Sequence, residues 1–352
     1  MMEISTYNSR KIAVLNTVAI LLVLLLHSYY METANYSMAQ WVQLFTGTSG
    51  LSGVAVPLFY FMSGLLFYKN VTCMKDCLTG IRKRVRSLLV PYILWNIIFV
   101  CWYVVLHLTP GVSQFVNSDM LCHFSIVHPL ESLEYLLVKP AGFQLWFLRD
   151  LMVYVAFTPL LWILLKRYPW LTLTGLYLIL GGIARCGITY FAIGSLIALH
   201  YSLGGVSRCL SKPVVMLCGL LVLVNSFLAA FPECNYLTGN PYWQQAANTA
   251  GILVIWGGYD MLNTKARYGK LSDIFLYVSK YCFFIYLFHE PAFNIIKKVN
   301  LRILGLHEWS LILLYFMNPI IMCVISVVVA KLMQKFIPKT YSVLVGGRSL
   351  SN

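Results

Sequence analysis

Arg10-Lys11-Ile12-Ala13-Val14-Leu15-Asn16-Thr17-Val18-Ala19-Ile20-Leu21-Leu22-Val23-Leu24-Leu25-Leu26-His27 opens on two cations, continues as a predominantly apolar run and ends on a histidine. A run of this length and character predicts a membrane-spanning helix, and an ionisable group inside one marks a functional site. At ~1.5 Å per residue, the ~16 residues from Lys11 place His27 roughly 24 Å away, in the outer part of a ~30 Å hydrocarbon core. A plainer alternative is an interfacial histidine that ends the helix beside Ser28, Tyr29 and Tyr30. The segment resembles a signal peptide, but Leu26-His27-Ser28-Tyr29-Tyr30 is not a small-residue cleavage site, so a retained first helix is expected.

The rest of the chain repeats this character. Of its 352 residues, 59% are hydrophobic and only 11% charged, whereas soluble domains carry roughly a quarter charged residues. Several soluble domains are therefore excluded in favour of an all-α, polytopic membrane protein. Apolar runs at 12–29, 51–69, 88–107, 143–165, 170–184, 187–203, 213–231, 243–262, 274–290 and 309–335 predict about ten transmembrane helices. The division expected is a membrane domain over residues 1–340 and a short cytoplasmic tail over 341–352.

The formal charge of +14 follows from topology. Basic residues gather in short loops: Lys75 and Arg82 to Arg86, Lys166 and Arg167, Arg208 and Lys212, Lys265 to Lys270, and Lys331 to Lys339. Excess Lys and Arg in short loops marks the cytoplasmic side, which puts both termini there and makes nucleic acid an unsuitable partner. Lys297, Lys298 and Arg302 are the exception, falling on an outer loop, while Asp119, Glu131, Glu134 and Glu233 map outside. Ten cysteines are scattered without a zinc-like pattern; Cys122 and Cys234 fall on outer loops, where free thiols are expected over a bridge. His107, His123 and His128 match no standard metal spacing, and no metal site is assigned.

Several short motifs carry chemistry. Ser63-Gly64, in the second run, is a small-residue pair of the kind that admits a neighbouring helix; its functional reading is a groove for a thin ligand arm. Arg82-Lys83-Arg84-Val85-Arg86 is accounted for as a positive-inside loop, yet Arg82 and Arg86 share a helix face and can present paired donors to phosphate. Trp146, Arg149 and Asp150 stand near the outer start of the fourth run. Tyr286-Leu287-Phe288-His289-Glu290-Pro291 puts a second histidine and a carboxylate at the outer end of the ninth. Thus His27, Arg149, Asp150, His289 and Glu290 converge on one side, and Gln244, Gln245 and Asn248 reach the same half.

In this order these pieces resemble the integral-membrane acyltransferase family 3, whose members transfer acetyl or other acyl groups onto sugars. The resemblance rests on Ala19 to Ser28, on Val56-Pro57-Leu58-Phe59 through Ser63-Gly64, and on the basic run into Pro91-Tyr92. Leu145-Trp146-Phe147-Leu148 and Tyr286 to Pro291 complete it, so it spans nearly the whole chain. The family's first helix usually carries Arg or Lys eleven residues before the histidine, a step that returns to within ~20° of the same helix face. Here that position is Asn16, which donates a hydrogen bond but supplies no charge.

The resemblance implies O-acyl transfer from acetyl-coenzyme A, a co-substrate and not a resident cofactor, to a hydroxyl of a cell-surface or exported carbohydrate. The acceptor would be a polysaccharide, lipopolysaccharide or glycolipid, and the setting a bacterial inner membrane. His27 would be the general base, Arg82 and Arg86 would hold the donor's phosphates, and Ser63-Gly64 would guide its pantetheine arm. Asn16, Trp146, Arg149, Asp150, His289 and Glu290 would support the base or the acceptor. Two rivals remain: a transporter or flippase with a His/carboxylate relay, and a non-catalytic family member in a glycan-biosynthesis complex.

Overall fold

In the computed structural model, which describes residues 5–109, 132, 138–181, 187–263 and 269–348, the opening stretch is helix α1, Thr6–His27. Ser5 caps it, its side chain accepting from the amide of Asn8, and the Ser28 amide closes its last turn on the carbonyl of Leu25. Both ends are thus fixed by side-chain and backbone partners for groups a helix terminus leaves orphaned.

Every regular element among the described residues after α1 is helical. They form α2 (Ser37–Thr46), α3 (Ala55–Tyr68), α4 (Met74–Arg84), α5 (Val90–Leu108), α6 (Trp146–Ala156), α7 (Thr158–Arg167) and α8 (Pro169–Gly175). There follow α9 (Ile188–His200), α10 (Leu203–Cys209), α11 (Lys212–Ala229) and α12 (Pro241–Asn263). The last four are α13 (Gly269–Ser279), α14 (Cys282–Leu304), α15 (Glu308–Phe336) and α16 (Pro338–Leu344). The described residues of the ten apolar runs fall mainly on helix, with breaks inside several of them. By length and composition five helices suffice to cross a membrane, or up to eight when each sharply bent pair counts as one span. Short α2 was not predicted, because its apolar residues are interrupted by Gln40 and Gln43.

Helix α1 sits in the middle of the bundle, against α3, α13, α14 and α15. Its apolar face, including Leu15, Ala19, Ile20 and Leu24, is buried. Helices α3 and α9 approach closely. A Cβ on Gly64 would lie 2.0 Å from the Phe191 carbonyl oxygen, and one on Gly194 would lie 2.0 Å from that of Phe61. Reciprocal glycines let the two backbones touch, the packing use of small residues in a membrane helix pair. The Gly64 face is therefore filled by α9, the helix contact that a small-residue pair predicts.

Two breaks shape the ends of the bundle. Between α4 and α5 a π-helical turn, Val85–Leu89, inserts into the basic segment. Within α14, Pro291 lacks the amide that would bond the Leu287 carbonyl, and Glu290 before it takes an extended conformation (φ −101°, ψ 140°). The residues expected to trail as a tail are packed: Tyr341, Leu344 and Val345 are buried, and α16 lies against α5 and α15.

Candidate functional site

Pro291 is where the site starts. The carbonyl it orphans, that of Leu287, accepts from Gln144 Nε2 at 3.0 Å, and the same nitrogen donates to the Glu290 carbonyl at 3.0 Å. Tyr286 in turn donates its hydroxyl to the Gln144 carbonyl at 2.7 Å. A buried glutamine thus satisfies the break in α14 and ties it to the start of α6. Gln144 lies one residue before the Leu145–Leu148 motif and was missed; a polar residue preceding an apolar run carries no distinctive pattern.

The break turns Glu290 toward the end of α1. Glu290 Oε1 lies 3.6 Å from His27 Nδ1, and its Oε2 accepts from Asn294 Nδ2 at 2.7 Å. The His289 ring stands 4.9 Å from that of His27, nearly edge-on. His289 Nδ1 faces the Tyr286 carbonyl at 2.8 Å and that of Ile285 at 3.2 Å, so Nδ1 carries the proton and Nε2 is left with a lone pair. That Nε2 and Gln144 Oε1 are buried acceptors with no hydrogen-bond partner among the described residues. Unmet buried acceptors are costly.

Lys297 completes the group. Its Nζ donates to the His27 carbonyl at 3.0 Å, capping the C-terminus of α1 where a cation suits the helix dipole, and it lies over the Tyr30 ring. The sequence contained its signal: Lys297 belongs to the one basic group that fell on the wrong side of the charge pattern. His27, Glu290, Gln144, Asn294, Tyr103 and Lys297 line a cavity of about 380 Å³. That volume falls within the range of small-ligand sites.

The other expected residues divide. His27, His289 and Glu290 come together as anticipated. Arg149 and Asp150 pair with each other, Arg149 Nη2 to Asp150 Oδ1 at 2.7 Å, and Arg149 also donates to the Val138 carbonyl. Neither lines the cavity, nor does Trp146, whose ring packs edge-on to Phe147. Asn16 is half-buried and away from the cavity. Gln244 spends its amide on the carbonyls of Thr238 (2.6 Å) and Ser49 (3.2 Å), holding helix ends together. Arg82 and Arg86 are exposed at the opposite, basic end. Asp119, His123, His128, Glu131, Glu134, Cys122, Lys265 and Arg267 lie outside the described residues, as does Gly182 to Cys186.

At the basic end the sequence also missed Asp260, on α12. It pairs with Lys11 at 2.7 Å and accepts from the Tyr7 hydroxyl at 2.7 Å, while Lys11 Nζ stands 4.1 Å above the Trp256 ring. Lys11 is fully buried, so this pairing is what keeps its charge tolerable. Lys11 is engaged there and does not substitute for a cation at Asn16.

Residues 11–333 match the acyltransferase domain of acyltransferase family 3. The chain belongs to this family. It is an acyltransferase with membrane-spanning helices. Succinoglycan biosynthesis protein ExoH of Rhizobium meliloti (strain 1021) is 27% identical over 332 residues, covering 90% of this chain and 84% of that protein. No solved structure matches. Membership of an acyltransferase family supports the enzyme reading over the transporter.

Proposed function

We propose that this protein moves an acyl group, acetyl in the simplest case, from acyl-coenzyme A to a hydroxyl of a cell-surface or exported sugar. The observation that carries the reading is the His27–Glu290 pair opening into a polar cavity at the end of the bundle opposite the basic loops. Family membership supports the acyl chemistry, and a relative named for succinoglycan biosynthesis supports a saccharide acceptor.

Glu290 beside Nδ1 favours the tautomer with the proton there, leaving His27 Nε2 as the base. The sugar hydroxyl gives its proton to Nε2 as its oxygen attacks the thioester carbonyl carbon. The tetrahedral intermediate then collapses, the carbon–sulfur bond breaks, and the imidazolium returns the proton to the leaving thiolate. Glu290 stabilises the imidazolium in between, and Asn294 holds Glu290 in place. Asn294 and Lys297, on the cavity wall, supply polar contacts for other hydroxyls of the sugar ring.

The two-ended design suits two substrates arriving from opposite sides. With about ten spans and both termini cytoplasmic, the basic loops face the cytoplasmic donor, and the exposed Arg82 and Arg86 attract its phosphates. The sugar, a polysaccharide, lipopolysaccharide or glycolipid, then enters from outside a bacterial inner membrane. The test is incubation of the reconstituted protein with acetyl-coenzyme A and surface glycan from the source cell, followed by mass spectrometry of the glycan. Acyl-ester gain that requires both the protein and His27 supports the reading. No gain and no consumption of acyl-coenzyme A by folded protein overturns it.

A further inference from the structure

When the sugar oxygen attacks, an electron pair of the thioester carbonyl moves onto its oxygen, and that oxygen calls for a hydrogen-bond donor. Glu290 is an anion, and His27 Nε2 is taking the proton of the attacking hydroxyl, so neither supplies one. Most donors on the cavity wall are already committed. Gln144 Nε2 serves the carbonyls of Leu287 and Glu290, Asn294 Nδ2 serves Glu290 Oε2, and Lys297 Nζ serves the carbonyl of His27. Two phenols, Tyr29 and Tyr103, also line the cavity, and neither hydroxyl has a hydrogen-bond partner among the described residues.

Helix α5 sets the place of Tyr103. Asn96, Phe99 and Tyr103 stand at i, i+3 and i+7, one face of the helix. Asn96 Oδ1 accepts from the amide of Ala141 at 2.7 Å. One turn on, the Phe99 ring lies against Gly142, where a Cβ would come within 2.3 Å of it, so only glycine lets ring and backbone approach here. Asn96 and Phe99 are both buried. They clamp the segment before α6 onto α5, and the next position on the same face, Tyr103, lines the cavity together with Gly142, Phe143 and Gln144.

Helix α1 packs against α3, α13, α14 and α15, and α5 is not among these neighbours. The cavity lies between them, with His27 at the end of α1 on one wall and Tyr103 of α5 on another. The Tyr103 hydroxyl is within electrostatic reach of the Glu290 carboxylate yet not bonded to it. Tyr103 is also half-buried, whereas Tyr29 is 37% exposed at the mouth. A donor withdrawn from water acts more strongly on a developing charge, and one without a partner gives up no contact when that charge appears.

We propose that Tyr103 is a further catalytic residue, the donor whose hydroxyl stabilises the oxyanion of the tetrahedral intermediate. The assignment rests on the acyl transfer proposed above. As the new carbon–oxygen bond forms, the carbonyl π pair moves to the carbonyl oxygen, and Tyr103 donates its O–H to that oxygen without releasing the proton. On collapse the pair returns, the carbon–sulfur bond breaks, and the thiolate takes the proton held by His27. Tyr103 ends the cycle as it began.

The test is steady-state transfer by the full-length protein in nanodiscs, with acetyl-coenzyme A and surface glycan from the source cell. Y103F is compared with the native chain, with melting temperature as the check of folding. Removing one oxyanion donor lowers kcat by about 10²–10³-fold, and that loss is expected with the KM of both substrates nearly constant. A folded Y103F with near-native kcat overturns the assignment. So does a loss confined to the acceptor's KM, which would make Tyr103 a sugar contact. A second substitution, 3-fluorotyrosine at position 103, keeps the ring and makes its hydroxyl a stronger donor and a weaker acceptor. At neutral pH its kcat is expected to rise. A fall means that the hydroxyl accepts, and no change means that it takes no part; either overturns the assignment even where Y103F does not fold. Native protein that neither transfers the acyl group nor consumes acetyl-coenzyme A overturns the acyl transfer and this assignment with it, whereas an active native chain indifferent to Y103F overturns the assignment alone.

Discussion

Helix α1 carries a cation-forming side chain near each end, and the two are built to opposite specifications. Lys11 is fully buried, paired with Asp260 at 2.7 Å and stacked on Trp256. His27 keeps 23% of its side chain exposed, stands 3.6 Å from a carboxylate that is itself 12% exposed, and borders a cavity. Around Lys11 every charge has found its partner. Around His27 buried acceptors remain unmet, at His289 Nε2 and Gln144 Oε1. A buried charge that is satisfied holds a fold together; one left half-satisfied beside a cavity is waiting for a substrate.

The most severe break in this contrast is His27→Ala. Loss of a general base costs about 10²–10⁴-fold in rate, so glycan acylation by the purified protein is expected to fall to background. The melting temperature should move little, because the ring lies at a cavity wall. Retention of near-native rate would mean that the open end of α1 is not where the proton goes.

Asp260→Asn probes the closed end. It leaves Lys11 buried without a counter-charge, which costs about 3–5 kcal/mol, and thermal unfolding in detergent should show the loss. The fraction that remains folded should keep its rate per molecule. Adding Lys11→Met should recover much of the stability, since an apolar pair replaces an ionic one. If Asp260→Asn instead lowered the rate of folded protein as much as His27→Ala, the division into a structural and a chemical end would fail.

How much of this was legible in the sequence follows the same divide. Helices show because a span must be apolar, so the all-helical, membrane-spanning character was visible, whereas the number of spans was not: ten runs were expected and five to eight candidate spans are found. His27, His289 and Glu290 stood out as ionisable groups bounding apolar runs. Lys11 was visible, yet Asp260 was not tied to it, because a pairing across 249 positions leaves no local pattern. Gln144 was invisible for the same reason: its role depends on a carbonyl that Pro291 orphans in another helix. Arg149 and Asp150 show how little adjacency decides, since neighbouring opposite charges can satisfy one another, as they do here. Ser63-Gly64 allowed two readings because small residues serve close packing and ligand access alike, and the position of Phe191 shows Gly64 in close packing.

Glu290→Gln sharpens the open end. The amide keeps the shape and the contact with Asn294 but removes the charge that stabilises protonated His27. Turnover should drop by roughly tenfold to a hundredfold, the scale of a charge-assisted contact, with the acceptor's KM nearly constant. An effect confined to KM would recast Glu290 as a sugar-binding residue and leave His27 without an orienting group.

Lys297→Met should do least, and for that reason it discriminates most finely. The ammonium donates to the His27 carbonyl and not to its ring, so its direct role is to hold the last turn of α1. A cation at a helix C-terminus contributes about 0.3–1 kcal/mol, up to ~2 when partly buried, which predicts a small fall in melting temperature and a rate change of a few-fold. Lys297 also shares the cavity wall with Glu290, where its charge competes with His27 for the carboxylate. Removing it frees Glu290 to draw closer to His27, so any change should fall on turnover and leave the acceptor's KM nearly constant. A rate lost by a factor of hundreds with an unchanged melting temperature would place the ammonium in contact with the reacting atoms, and the open end of α1 would then contain a second catalytic cation.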